Sequence, residues 1–237
     1  MTERPIEPAE AFARLGSIKL SETDLDGVLS LVAALAKQTL TGADEVSVTL
    51  LRGSDGRTAA STGDLATKLD EWQYERGHGP CIDASMSGDP LAVPDMHAED
   101  RWPDWAAFAA KQGAGSSMSI GLPIQQAVIG ALNIYAPEVN AFDQDAVTVA
   151  QSFAAYAAVA VANAHLYDST ATLARQMQAA MENRAVIEQA KGIIMGERRC
   201  APDEAFGILA KISQDTNRKV RDVAAALVAS AEQRPRP

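Results

Sequence analysis

Between Pro137 and Pro202 the chain contains no proline, and from Asp143 onward that stretch is built almost throughout from residues that favour helix. Proline removes a backbone donor and clashes with the preceding turn, so its absence over such a run permits one continuous helix far longer than the usual three turns. The length predicts a helix that closes one domain, leaves it and continues into a second. Along it Leu166, Leu173, Ala180 and Ile187 recur every seven residues, with Thr170, Met177 and Arg184 interleaved, which approximates a coiled-coil seam. Thr170 and Arg184 make the seam imperfect, and an amphipathic helix packed on its own domain is the alternative. The seam predicts a homodimer held by Leu166, Leu173, Met177 and Ala180.

Charge changes along the same helix. Residues 1–162 hold 10 basic and 22 acidic groups, a net −12, whereas residues 163–237 hold 11 and 9, a net +2. The overall charge of −10 would argue against a nucleic-acid partner if averaged, but phosphate contacts depend on a local basic face. No run approaches the ~20 apolar residues that span a bilayer, and Met1-Thr2-Glu3-Arg4-Pro5 has no basic segment ahead of an apolar one. Cys81 and Cys200 are far apart, with no second thiol near either, which excludes a CxxC pair and a disulfide framework. The expectation is a cytoplasmic protein without membrane association.

Residues 1–14, with Pro5, Pro8 and several charges, predict a poorly ordered lead-in. Leu25, Val28, Leu29, Val32, Leu35, Ala36 and Leu40 follow helical spacing, with Ser21 or Thr23 as a cap. Residues 45–51 and 57–62 predict a hairpin around Gly53-Ser54-Asp55-Gly56. An amphipathic segment over 65–74 then leads through the irregular Gly77-His78-Gly79-Pro80-Cys81 to a short strand at 91–93 and a helix from Arg101-Trp102-Pro103 to about Gln112. Strands at 117–123 and 127–135 turn near Gln125-Gln126. This order predicts an α+β domain, an antiparallel sheet covered by helices. Beyond the long helix, segments over 203–214 and 220–231 complete three short helices.

Arg184-Ala185-Val186-Ile187-Glu188-Gln189-Ala190-Lys191-Gly192-Ile193-Ile194-Met195, then Asp203-Glu204-Ala205-Phe206, Ser213, Asn217-Arg218-Lys219-Val220 and Asp222-Val223-Ala224 closely resemble the ANTAR family of RNA-binding antitermination modules. The preceding domain resembles the GAF sensor modules that accompany ANTAR in actinobacterial regulators. Gly79-Pro80-Cys81, Arg101-Trp102-Pro103, Leu122-Pro123, residues 129–135 and Ala141-Phe142-Asp143 carry that resemblance. It implies a GAF domain over 15–165, a coiled-coil linker helix over 166–183 and a three-helix ANTAR module over 184–237. It also implies a dimer that binds hairpins in a nascent transcript and promotes antitermination, gated by an unknown small-molecule or protein signal.

On that reading RNA contacts fall to Arg184, Lys191, Arg198, Arg199, Lys211, Arg218, Lys219 and Arg221, with Gln189 and Asn217 reading base edges. Arg184 and Lys191, seven apart, share a helix face. Taken alone, these residues read first as a solvated helical surface balanced by Glu182, Glu188, Glu197 and Asp222, and the resemblance turns the reading to RNA. Phe206 is expected in the core, which leaves few stacking contacts. Gly192 and Gly196 each cost a helix roughly 1 kcal/mol relative to Ala. Close helix packing is the expected reason, and close approach of an RNA backbone the other.

In the first domain the histidines, His78, His97 and His165, lack metal-ligand spacing, and neither a metal nor a cofactor is implied. Cys81 and His78 share a loop without a third orienting group, so a structural or mildly redox-sensitive thiol is expected rather than a nucleophile. Cys81 is followed by Ile82, not the histidine of bilin-attaching GAF domains, and Asn140-Ala-Phe-Asp-Gln-Asp only partly matches the cyclic-nucleotide pattern. Trp72, Tyr74, Cys81, Trp105 and Tyr135 are candidates to line a ligand pocket, or else to cap the core. The expectation is a regulator and not an enzyme. A DNA-binding regulator with a GAF sensor, or a non-enzymatic ligand-binding dimerisation module, would share this outline.

Overall fold

The computed structural model describes residues 6–52, 55–122 and 129–233 and divides the chain into two compact units, Met1–Asp168 and Ser169–Pro237. Gly53-Ser54 and Gln125-Gln126, where two turns are expected, lie outside the described residues.

The stretch expected to be a poorly ordered lead-in is helical from Pro8. Helix α1 (Pro8–Gly16) starts with Pro8 in its first turn, and Ala11 and Leu15, four apart, are buried in the main core. The Phe12 ring stacks on Tyr156 at 4.4 Å. Nine residues give a periodicity too short to recognise against two prolines and five charges. Helix α2 (Leu25–Thr39) buries Val28, Leu29, Val32, Leu35 and Ala36, and its cap is Asp24, which accepts from the Gly27 N–H at 2.9 Å, rather than Ser21 or Thr23.

Strands β1 (Glu45–Arg52) and β2 (Asp55–Ser61) pair antiparallel, with a register shift between Val48 and Thr49. Helix α3 (Asp64–Arg76) ends on left-handed Gly77. The Gly/Pro segment expected to be irregular becomes helix α4 (Pro80–Ser87), because Pro80 supplies the φ of a first helical turn and left-handed Gly88 closes the last. Strand β3 (Leu91–Val93), helix α5 (Pro103–Gln112), and strands β4 (Ser116–Leu122) and β5 (Ile129–Ala136) follow. The sheet order is β2-β1-β5-β4-β3, antiparallel at every pairing.

Strand alternation gives this sheet two chemically different faces. Val46, Val48, Met118, Ile120, Leu132 and Ile134 point to one side, where they pack with α1, α2 and the start of helix α6 (Gln144–Arg198). The other side carries Ser47, Thr49, Ser117, Ser119, Asn133 and Tyr135, all buried, beneath α3, α4 and α5. The Asp143 carboxylate caps α6 by accepting from the Ala146 N–H at 2.8 Å. One window of α6 is long and apolar enough, by length and composition, to cross a membrane. Its alanine-rich face has another use, since Ala150, Phe153, Ala154, Ala157 and Ala158 belong to the sheet core.

In the second unit the end of α6 packs with α7 (Pro202–Thr216) and α8 (Val220–Glu232). Ala190, Ile194, Ala205, Leu209, Val223 and Ala224 form the core. Pro202 starts α7 and left-handed Asn217 ends it.

The chain's three tryptophans, Trp72, Trp102 and Trp105, all belong to the first unit, so their fluorescence reports its unfolding alone. Phe153→Ala should cost about 3–5 kcal/mol in urea unfolding followed by tryptophan emission. Leu209→Ala should cost about 2–5 kcal/mol in a far-ultraviolet circular dichroism transition and leave the tryptophan transition unmoved.

Candidate functional site

The polar face of the sheet is organised around one carboxylate. Asp70 lies on the buried side of α3 and is fully buried. Its Oδ1 accepts from the Asn133 amide at 3.1 Å and the Tyr135 hydroxyl at 2.7 Å, and its Oδ2 accepts from Thr58 at 3.0 Å. Asn133 also donates to Thr49 at 2.9 Å and Ser47 at 3.3 Å, and Thr49 and the Tyr74 hydroxyl lie 2.6 Å apart. The network therefore ties β1, β2, β5 and α3 together beneath the covering helices. Burying a charge without a cation is costly, and these hydroxyl and amide donors offset part of that cost. Three atoms of the face, Ser117 Oγ, Ser119 Oγ and Asn133 Oδ1, are buried and have no hydrogen-bond partner among the described residues. Each unsatisfied group of this kind costs about 1–3 kcal/mol.

Helix α4 closes the face. Its Cys81 N–H donates to Gln73 Oε1 at 2.9 Å, and the Cys81 thiol donates to Thr49 at 3.3 Å. Asp83 accepts from the Trp102 indole at 2.9 Å. The helix lies so close to β4 that a Cβ on Gly121 would fall 2.5 Å from the Ala84 carbonyl oxygen, so only glycine fits there.

Burial raises the Asp70 carboxyl from 3.8 to about 6, against the hydrogen bonds of Ser47, Tyr135 and Thr58, which lower it. Burial also pushes the Cys81 thiol up to about 12, with the Asp70 charge adding to the shift. Cys81 is bonded to threonine, and His78 stands edge-on to Trp72. A thiol held protonated at neutral pH is a poor nucleophile.

The five residues expected to line a pocket are packed into this interior. Cys81, Trp105 and Tyr135 are fully buried, Trp72 nearly so, and Tyr74 half-buried with its hydroxyl inside the network. None of them lines the cavity of about 250 Å³ between Leu15 and Val159, nor that of about 390 Å³ between Thr39 and Asp143. Asp70, Thr49, Ser117, Ser119 and Asn133 were not singled out by sequence reasoning. Their signal was present as polar residues alternating inside apolar strands, Ser117-Met118-Ser119 and Leu132-Asn133-Ile134.

In the second unit Arg184, Gln189, Arg198, Arg199, Lys211, Asn217, Arg218, Lys219 and Arg221 are exposed. Lys191 is half-buried and pairs with both oxygens of Glu188 at 3.0 Å, and Arg221 reaches Asp222 at 3.4 Å. Surface pairs of this kind contribute about 0–1 kcal/mol and exchange readily for phosphate. Residues 199–201 connect α6 to α7, and the shared core of Ala190 and Ile194 with Ala205 and Leu209 makes α7 run back along α6. Arg184 and Arg198 are about 21 Å apart along α6 at 1.5 Å per residue.

Two expectations for this unit are corrected. Phe206 is 45% exposed, because Ala205 and Leu209 turn the core face of α7 away from it. Gly192 and Gly196 are exposed, and a Cβ at either would meet nothing within 4 Å, so close helix packing does not account for them.

The family model described as GAF domain matches residues 22–162, and that described as ANTAR domain matches residues 175–228, beginning within the stretch expected to be linker. No curated relative matches. Among solved structures, the phycoerythrobilin-bound GAF domain from a cyanobacterial phytochrome aligns at a TM-score of 0.53 and 17% identity, over 68% of this chain and 97% of that one. The free methionine-R-sulfoxide reductase from Neisseria meningitidis, in complex with its substrate, aligns at 0.51 and 18%, over 69% and 89%. That of Staphylococcus aureus, in its reduced form, aligns at 0.52 and 19%, over 68% and 99%. At these identities the likeness is one of fold.

Asp70 holds its proton more tightly folded than unfolded, so its contribution to stability is greatest below about pH 4 and falls as pH rises through about 6. The unfolding free energy of Asp70→Asn relative to wild type should accordingly rise between pH 4 and pH 7.5, by on the order of 2–3 kcal/mol. Chemical denaturation at matched ionic strength measures it, and a pH-independent difference would contradict the assignment.

Proposed function

Because this chain belongs to the GAF family and carries an ANTAR domain behind its GAF domain, we propose that it is a signal-responsive RNA-binding regulator that binds hairpins in nascent transcripts and promotes antitermination. The GAF domain is the input, the ANTAR domain the output, and neither is an enzyme. Such a protein works in the cytoplasm, where transcripts are made.

The observation that carries this reading is on the last four turns of α6. Helical spacing puts Arg184, Lys191 and Arg198 in one stripe, and Gln189, Gly192 and Gly196 in a second stripe about a third of a turn around the helix. The two glycines are open to solvent and weaken the helix, so their reason is sought outside the fold. An exposed row without side chains lets a phosphate backbone approach the helix, the basic row on the flank supplies neutralising charge, and Gln189 can reach a base edge. Asn217, Arg218, Lys219 and Arg221, at the turn from α7 into α8, add basic charge to the module, and Lys211 adds charge on α7.

Dimerisation supplies the switch. Leu166, Leu173, Met177 and Ala180 are exposed on α6, and Val159, seven residues before Leu166 and 61% exposed, continues the period. Two modules on one dimer make the second hairpin contact intramolecular, which raises affinity without any new contact. A helical DNA-binding module would place a comparable basic helix in a major groove, and competition by duplex DNA separates the two readings.

Fluorescence anisotropy with the intact chain and a tandem-hairpin RNA should show binding that duplex DNA at matched salt does not displace. Arg184→Ala and Arg198→Ala should each weaken it and lower the slope of log affinity against log salt by about 0.7. Gly192→Ala should raise thermal stability, by up to about 1 kcal/mol, while weakening RNA binding; a variant that gains stability and keeps its affinity removes the backbone-approach reading. Leu173→Glu should shift the chain toward monomer in light scattering and abolish the preference for tandem over single hairpins. Tandem preference in a monomeric wild type would contradict the avidity mechanism.

A further inference from the structure

Strand register brings the three unsatisfied atoms of the polar face together. Ser119 is directly opposite Asn133, and Ser117 is opposite Tyr135, across β4 and β5. Both serines are 1% exposed and Asn133 is fully buried. Asp70, whose Oδ1 accepts from Asn133, shares this face. Among the described residues the buried polar side chains are hydroxyls, two amides and this one carboxylate, with no lysine, arginine or histidine. The free capacity of the face is thus the acceptor oxygen of Asn133, two hydroxyls and a carboxyl group without a cation.

We infer that this face is a binding site for a small molecule that presents N–H donors, such as an amidine, an amine or the amino edge of a heterocycle, and that it rejects carboxylates and phosphates. This rests on the reading of the GAF domain as a sensor and narrows the class of its signal. A donor-bearing ligand pairs with Asn133 Oδ1 and the serine hydroxyls and, when cationic, neutralises Asp70. An anion would place a second negative charge beside a buried carboxylate, where a low dielectric magnifies repulsion. Entry is under α4, which is bounded by positive-φ glycines, Gly79 and Gly88, and is pinned by the Cys81–Gln73, Cys81–Thr49 and Trp102–Asp83 hydrogen bonds. A ligand lodged against Ser117 and Ser119 acts on these bonds and so on the position of α4.

Acetamidinium, acetamide and acetate share one shape and differ only in N–H donors and charge, which makes them discriminating probes. Thermal unfolding of the intact chain at pH 7, followed by tryptophan emission, should be raised most by acetamidinium, less by acetamide, and not by acetate or inorganic phosphate. Ser119→Ala and the isosteric Asp70→Asn should each weaken the apparent acetamidinium affinity about tenfold. Equal stabilisation by acetate, an acetamidinium effect undiminished in both variants, or no shift with any probe, as a face satisfied by water only would give, overturns the inference. The two readings fail separately: a probe that binds but leaves hairpin affinity unchanged removes the gating role and keeps the site. Hairpin binding with no response to any probe removes the site and keeps the output.

Discussion

A helix of 55 residues without a proline contributes to a hydrophobic core in each of the two units, and its middle has almost no core of its own. From Phe153 to Ala164 one face, Phe153, Ala154, Ala157, Ala158, Val161 and Ala164, is held in the sheet core, and Ala190 and Ile194 are held by α7 and α8. Between them, residues 173 to 182 are exposed at every position. Tertiary burial stabilises most helices in folded proteins, and isolated helices of this length are marginal in water. The exposed turns of α6 therefore draw on helix propensity and on whatever packs against Leu173 and Met177. In the proposed dimer a partner helix would be that source, and a segment that stays helical only when covered would report whether it is covered.

The first domain spends stability on its polar sheet face. Among the described residues Asp70 is fully buried with no cation and three neighbouring atoms lack partners, whereas the opposite face of the same sheet is lined mainly by apolar residues. An apolar replacement would cover a sheet equally well, so the polar face is a cost that packing alone does not explain. It is the part of the domain whose energy a proton or a small polar ligand changes most, and α4 lies directly over it.

Much of the architecture was legible in the sequence, because hydrophobic periodicity and proline placement are strong local signals. The long helix, the antiparallel sheet, the Pro103 and Pro202 helix starts and the three-helix end all follow from them. The expectations that changed were those where tertiary contact decides the outcome. Helix α1 is too short to show a period and is held by Phe12, Ala11 and Leu15 against α6 and the core. Helix α4 looks like a Gly/Pro loop until Gly121 makes room for it on the sheet. The polar site was the least visible, since Asp70 is one acidic residue among many, and only strand register aligns Asn133 with Ser119. Gly192 and Phe206 each take their meaning from exposure, which sequence spacing does not give.

The most direct test of the account is single-round transcription in vitro on a template with a tandem-hairpin leader ahead of an intrinsic terminator. Full-length transcript should rise when the protein is added, and the rise should disappear when the leader hairpins are replaced by unstructured sequence of equal length. Unchanged read-through at protein concentrations that saturate the hairpins, or an equal rise on the unstructured leader, would contradict it.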